Sequence, residues 1–359
     1  MLHPFMHLDS WSRVVAVFAV LVGALAALGG CQAVDSGPVA RPELPTWSHE
    51  HVAWTRPISG GDGVLFEGVI EPESPFTEAI LSFNAEVPES SGLAAQVRVE
   101  REGRWSPWAT LSTWGAIIPA AHTKIGFPAG RVAIDELLLD TPADRAEVRV
   151  LARGAVTLDR LDLILTGRSM ATGLPAPSTG ERLELAVPFR PNKAEDEALR
   201  SRLCSPTSLR MLLAWQGVEP GHETVCQRAY SAEFDLYGVW PRNIQAARSF
   251  GVGARLARFS SWEEVREHLE TDGPIAISIT AERGELRNAG YDLTAGHLIV
   301  LTGLTESGDA LVLDPAFGER AEARRVYLAE DLTRVWLQRK RGTSYSLTGQ
   351  SYALLGERP

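Results

Sequence analysis

Three cysteines are few for a chain of 359 residues. They cannot staple a loop-rich scaffold, so stability has to come from apolar cores. Lys and Arg gather into no run longer than the three residues Arg339-Lys340-Arg341, and the formal charge of −10 argues against a surface built for nucleic acid or anionic lipid. No pair of histidines or cysteines has the spacing of a metal site, and no glycine-rich loop is fit to cradle a phosphate. Neither a metal nor another cofactor is therefore expected. Membrane-spanning apolar runs are missing too. The stretch Val14 to Leu28 is too short to cross a bilayer comfortably, but it is the right size for the core of an export signal. What remains is a chain long enough for about two domains with proper cores.

Arg13 precedes that apolar stretch, which ends in Leu28-Gly-Gly-Cys31. Small residues immediately before a cysteine resemble the lipobox of bacterial lipoproteins. The resemblance implies cleavage before Cys31 and lipid on its thiol, with residues 1–31 forming the signal and the mature chain held at the cell envelope. An aspartate does not follow the cysteine; Gln32 does. Residues 32–46 carry Pro38, Pro42 and Pro45 with no apolar periodicity, so they are expected to be an extended tether.

Residues 47–167 have the texture of short strands. Val64–Ile70, Ala79–Asn84, Ala95–Glu100, Glu136–Leu139, Glu147–Ala152 and Leu161–Leu165 are strand-length and separated by turn formers, which predicts an all-β sandwich. Trp105, Trp108 and Trp114 read first as core and rim packing. Their second reading is an aromatic platform for a carbohydrate or peptide ligand. Residues 168–182 are expected to be a linker.

The segment 183–359 differs. Thr207 onward shows apolar residues at helical spacing, with Pro206 where a first turn tolerates a missing N–H and Gly217 at the end. Helices are also predicted over 241–251 and 262–270, followed by strands over 274–280, 297–302 and 310–313 with a turn at Glu306–Asp309. Helices first and antiparallel strands second describe an α+β domain.

Cys204 stands at the mouth of the first of these helices, where unpaired N–H groups favour a thiolate. The helix dipole contributes about 1 kcal/mol, which lowers a thiol near pKa 8.5 by less than about one unit. A catalytic cysteine therefore needs an imidazole as well. The hairpin of the last two strands puts His297 and Asp314 at the same end of the sheet, where the carboxylate can orient the ring and the ring can take the thiol proton. Gly296 leaves room for a substrate. His222 and His268 compete for the base, but one follows a Pro-Gly turn and the other lies on a charged helix. Cys204 and Cys226 compete in another way, since two thiols in an exported chain are a candidate disulfide.

Four blocks in order, Cys204-Ser-Pro-Thr-Ser208, Tyr237-Gly-Val-Trp-Pro-Arg-Asn243, Gly296-His-Leu-Ile-Val-Leu-Thr-Gly303 and Leu313-Asp-Pro-Ala316 with Trp336 beyond, resemble the papain-fold cysteine peptidases related to the bacteriocin double-glycine leader peptidases. They look most like the stand-alone exported branch. The resemblance covers about Leu183 to Leu355 and implies a Cys204, His297, Asp314 triad acting on a peptide. It also implies an upstream glutamine that donates to the oxyanion, and here Asn192 stands in its place. The expectation is thus an exported lipoprotein thiol peptidase or amidase, a β-sandwich followed by a papain-like α+β domain, anchored by lipid on Cys31 and facing the periplasm or exterior. Its alternatives are an inactive peptide- or cell-wall-binding lipoprotein with Cys204 bridged to Cys226, and a transglutaminase-like acyl transferase using the same three residue types.

Overall fold

The structure, a computed structural model, describes residues 44–352 apart from 117–123, 127, 172 and 194–196. Cys31 and most of the expected tether therefore lie outside the described residues.

The first half is built of strands: β1 (Leu44–Trp54), β2 (Ile58–Gly60), β3 (Gly63–Ile70), β4 (Phe76–Glu86), β5 (Gly92–Arg101), β6 (Arg104–Trp105), β7 (Ala109–Gly115), β8 (Lys124–Gly126), β9 (Ala129–Ala133), β10 (Glu136–Ala143), β11 (Arg145–Arg153) and β12 (Val156–Ala171). One antiparallel sheet runs in the order β1-β12-β4-β10-β9-β8 with β2 also on β12; the other runs β3-β11-β5-β6 with β7 also on β5. Alternation decides which face of β11 is buried, since Ala146, Val148, Val150 and Ala152 point inward while the residues between them are partly exposed. They meet Phe83, Leu81, Leu163 and Leu137 in the interior, as expected of two stacked sheets. β1 begins at Leu44 and β12 ends at Ala171, beyond the expected sandwich limits of 47 and 167. The two strands pair with each other out to Leu44 opposite Ala171, and that ladder draws flanking residues into the sheet.

The tryptophans are packing. Arg98 lies over both Trp105 and Trp108, at 5.0 and 4.8 Å, and Arg149 lies over Trp108 at 4.1 Å. Guanidinium groups thus cover faces on which a ligand would stack. Trp114 is buried and stacked by Arg242 of the second half at 4.6 Å.

The second half opens with a two-residue strand β13 (Leu183–Glu184), then α1 (Glu197–Arg200), α2 (Cys204–Trp215), α3 (His222–Ala229) and α4 (Trp240–Arg248). β14 (Val252–Ala257), α5 (Trp262–Thr271), β15 (Ile275–Ala281), β16 (Thr294–Leu304) and β17 (Ala310–Leu313) follow. The chain ends in α6 (Arg320–Ala323), β18 (Arg324–Tyr327), α7 (Ala329–Leu332) with a π-helical turn at Thr333–Gln338, and β19 (Ser344–Ser351). The strands form one antiparallel sheet in the order β14-β19-β15-β16-β17-β18, with β13 beside β16. α2 packs against one face of the sheet, while α5, with Trp262, Val265 and Leu269 fully buried, packs with Trp336 in a separate core. Ser261 caps α5, accepting the N–H of Glu264.

The two halves form one compact unit with a shared core, and the contact between them is polar at its centre. Asn84 on β4 exchanges two hydrogen bonds with the backbone of Ala254, of 2.6 and 2.9 Å, and Gln245 on α4 does the same with Ala85, at 2.7 and 2.9 Å. Each amide supplies one donor and one acceptor, as a strand edge would. Deeper still is Arg258, its side chain wholly buried. It donates to Glu78 at 2.9 Å, Thr166 at 2.8 Å and Thr343 at 3.0 Å, and to Glu136. Arg341 reaches Glu78 from the rim.

Removing Arg258 strips the buried Glu136 of its cation and leaves Glu78 only Arg341, so Arg258→Ala should cost about 3–5 kcal/mol. Arg341→Ala, at a partly exposed position, should cost far less. Urea unfolding midpoints of the two variants read the difference, and equal losses would mean that Arg258 is not the clamp.

Candidate active site

Cys204 is the first residue of α2, and Leu203 before it offers no side-chain cap. The first-turn N–H groups have no intrahelical acceptor and no side chain stands in for one, so the positive end of the helix is left to the thiol. Ser208, one turn on, donates to the carbonyl of Leu298 at 3.1 Å. Leu298 is the neighbour of His297 on β16. That bond ties the register of the helix to the strand that carries the imidazole.

His297 is buried near the start of β16, and its Nε2 meets Asp314 Oδ1 at 2.8 Å. The carboxylate sits just past β17, fully buried. It also accepts the Ala316 N–H at 2.9 Å and the Tyr291 hydroxyl at 3.1 Å. With Nε2 so occupied, Nδ1 is the nitrogen left for the thiol, and Cys204 and His297 line one cavity. The Tyr291 ring stands edge-on to the imidazole, 5.4 Å between centroids at 82°. These contacts fix the ring plane.

Burial alone would strip charge from all three groups. It pushes the Cys204 thiol up, but the His297 hydrogen bond and charge, with the Leu298 N–H, bring the thiol below its ordinary value. Burial likewise opposes the imidazolium, yet the Asp314 charge and hydrogen bond, with contributions from Cys204, raise His297 to about 10. Asp314 is held below the usual carboxylate range: burial raises it, and His297, the Ala316 N–H and the Tyr291 hydroxyl outweigh that. Cys204 and His297 shift each other, so the titration belongs to the pair. Both shifts run in the direction that favours a thiolate beside an imidazolium, the form in which sulfur is a nucleophile.

The residues singled out in the sequence fall in different places. Cys204, His297 and Asp314 come together. Asn192 has its backbone N–H on the carbonyl of Pro315 at 2.8 Å. Among the described residues its buried Oδ1 has no hydrogen-bond partner, and it stands beside a cavity of about 360 Å³ that Tyr291, Thr294, His297 and Ala316 also line. Cys204 lies instead on a second cavity, of about 540 Å³, which shares His297. Cys204 and Cys226 are both free thiols, so the disulfide alternative is not what the structure contains. Cys226 is held on α3 with its Sγ 3.7 Å from His222 Nε2, and burial pushes its thiol up to about 11. His268 is a core histidine between Ser346 at 3.0 Å and Asp272 at 3.2 Å, lowered to about 4 chiefly by burial. His222 bonds the Lys193 carbonyl at 2.9 Å. Neither competing histidine has the Asp314 carboxylate.

Gly296 is exposed, and a Cβ there would meet no atom within 4 Å, so the approach to His297 is open. Two contributors were not visible in the sequence. Tyr291 comes from a loop without periodicity. The wall of the larger cavity includes Ala133, Ile134, Asp135 and Glu136 from the sandwich, which no pattern in the chain connects to Cys204.

Residues 184–344 match the model of the Peptidase C39-like family, and residues 62–153 match that of the Peptidase C39 N-terminal domain. Residues 184–344 thus carry a domain of the C39-like family. This is the papain-like kinship with double-glycine leader peptidases that the sequence blocks suggested. Among solved structures the chain is similar to a double glycine motif protease from an AMS/PCAT transporter, with 21% identity over 48% of this chain and 96% of that one and a TM-score of 0.31. It is also similar to a protein described as a C39-like peptidase from Bacillus anthracis, with 16% identity over 48% of this chain and 100% of that one and a TM-score of 0.36. A third is the peptidase domain of Streptococcus ComA, a bifunctional ABC transporter, with 14% identity over 44% and 96% of the two chains and a TM-score of 0.32. No curated protein matches the chain.

Iodoacetamide alkylation of Cys204 should stay fast well below pH 8.5, because the thiolate is held by His297. In His297→Ala the rate should fall at neutral pH, and its midpoint should move up towards or above the ordinary thiol value of about 8.5. Coincident pH profiles for the two proteins would show that the imidazole does not set the state of the sulfur.

Proposed function

We propose that the protein is a thiol peptidase or amidase whose nucleophile is Cys204, with His297 as the proton carrier and Asp314 as the group that orients it. One observation carries the reading: a thiol at an uncapped helix start shares the wall of a cleft with an imidazole whose Nε2 is held by a buried carboxylate. In this mechanism Cys204 Sγ attacks the carbonyl carbon of a peptide, and the C–N bond breaks as His297 gives its proton to the leaving amine. The thioester is then hydrolysed by water that His297 deprotonates. Asp314 keeps its charge throughout and supports the imidazolium. The N–H groups at the start of α2 face the developing oxyanion, with the Asn192 amide as second donor.

Wild-type protein incubated with a mixture of peptides of known sequence should generate new termini by mass spectrometry, and Cys204→Ala should generate none. In the same assay Asn192→Ala should lower kcat by about 10²–10³, the usual effect of losing one oxyanion donor. Identical cleavage by wild type and Cys204→Ala defeats the proposal. An unchanged kcat in Asn192→Ala removes only that residue from the oxyanion site. Products carrying an added amine would make the enzyme an acyl transferase instead.

We also infer that the enzyme acts at the cell envelope as a lipoprotein, on the Leu28-Gly-Gly-Cys31 sequence alone. The full chain expressed in a bacterium with an alkyne fatty acid should take up label, and Cys31→Ser should not. Equal labelling of both would refute the anchor.

A further inference from the structure

β9 and β10 are joined by Ile134 and Asp135, and Ala133 pairs directly with Glu136. Ile134 has a φ of 64°, and the Asp135 N–H bonds back to the Ala133 carbonyl at 2.9 Å. An i to i+2 bond around a residue with positive φ is the rare, strained form of the γ-turn. A β-branched residue is a genuine outlier there, since glycine is the residue that adopts such a φ without cost. Strain of this kind persists only where the surroundings hold it.

The surroundings are identifiable. Glu136, next after the turn, is bound by the buried Arg258. The Asp135 carboxylate accepts the Trp240 N–H at 2.8 Å, at the first residue of α4. The second half of the protein therefore grips the two residues that follow Ile134. Ile134 itself is left 40% exposed, and it lines the 540 Å³ cavity that holds Cys204 and His297. Leu236, Tyr237 and Trp240, each partly exposed, line the same cavity. A strained isoleucine, 40% exposed, thus stands on the cleft wall beside three half-buried side chains, of which Tyr237 also packs on Tyr230.

We infer that Ile134 of the sandwich is a specificity-determining residue, forming with Leu236, Tyr237 and Trp240 a subsite for an apolar side chain of the peptide attacked by Cys204. The inference rests on the peptidase reading above. It gives the first half of the chain a direct part in substrate choice, since the turn projects into the cleft and its backbone is fixed from the other half.

The test uses peptidyl fluoromethyl ketones, which alkylate a cysteine only after binding as a substrate would, with Leu, Phe, Asp or Lys placed at one position at a time. Rates of Cys204 modification are read by mass spectrometry and divided by the iodoacetamide rate of the same protein, so that a change in the thiolate cancels. Wild type should prefer Leu or Phe over Asp at one position by about tenfold or more, the scale of apolar side-chain discrimination. Ile134→Gly should reduce that preference to within about threefold, while its thermal midpoint does not drop, because glycine accepts the positive φ. Ile134→Lys should turn the preference towards Asp. A wild-type preference that both variants retain overturns the assignment of Ile134 and leaves the peptidase reading standing. No peptidyl ketone outpacing iodoacetamide in wild type overturns the peptidase reading, and this inference with it.

Discussion

A guanidinium taken entirely out of water has to be met by charge, and Arg258 is met by carboxylates that belong to the other half of the chain. Glu78 and Glu136 cannot be supplied by the sheet that carries Arg258, so the peptidase half leaves a buried cation uncompensated unless the sandwich docks on it. The carboxylates depend equally on the arginine. Burial and the neighbouring Glu136 raise Glu78, whereas the Arg258 charge and hydrogen bond overcome burial and lower Glu136. The Asn84 and Gln245 amides then set the register of the contact, each exchanging a donor and an acceptor with a backbone segment across the interface. Apolar burial supplies the shared core, but these polar pairs leave few other ways for the surfaces to meet.

That docking has a consequence for chemistry. Glu136 follows Asp135, which holds the first N–H of α4, and the same turn forms one wall of the cleft opened by Cys204 and His297. The site itself obeys the same rule as the clamp. His297 and Asp314 are buried and Cys204 partly so, and each charge would depend on its partners: a thiolate on an imidazolium, an imidazolium on Asp314, and Asp314 on the Ala316 N–H and the Tyr291 hydroxyl. Remove the carboxylate, and burial would return His297 to neutrality and Cys204 to a thiol.

Much of this was legible in the chain. The turn formers at Glu306–Asp309 between two aliphatic runs located the β16–β17 hairpin, and antiparallel pairing then brought His297 and Asp314 to one end of it. Pro206 and the spacing of Leu209, Leu212 and Leu213 located the start of α2. Other elements gave no such sign. β19 reads Ser-Tyr-Ser-Leu-Thr-Gly-Gln-Ser and is largely polar, yet it sits between β14 and β15. Ser346 finds a partner distant in sequence, His268, while Ser344 donates to the nearby Gly342 carbonyl. Tyr291 and Ile134 were hidden for a related reason: their roles come from where a loop and a turn arrive in space, and periodicity carries no record of that. The pairing of Cys204 with Cys226 was open on the sequence because spacing cannot place two thiols. In the fold one faces the cleft and the other is buried on α3.

The measurement that bears most directly on this account is the titration of the His297 imidazole by nitrogen NMR in wild-type protein and in Cys204→Ala. The account predicts that in wild type both ring nitrogens are protonated at pH 7 and that the ring loses its proton only near pH 10, with a lower midpoint once the sulfur is gone. A His297 ring that is neutral at pH 7 in wild type, and that titrates identically without Cys204, would contradict it.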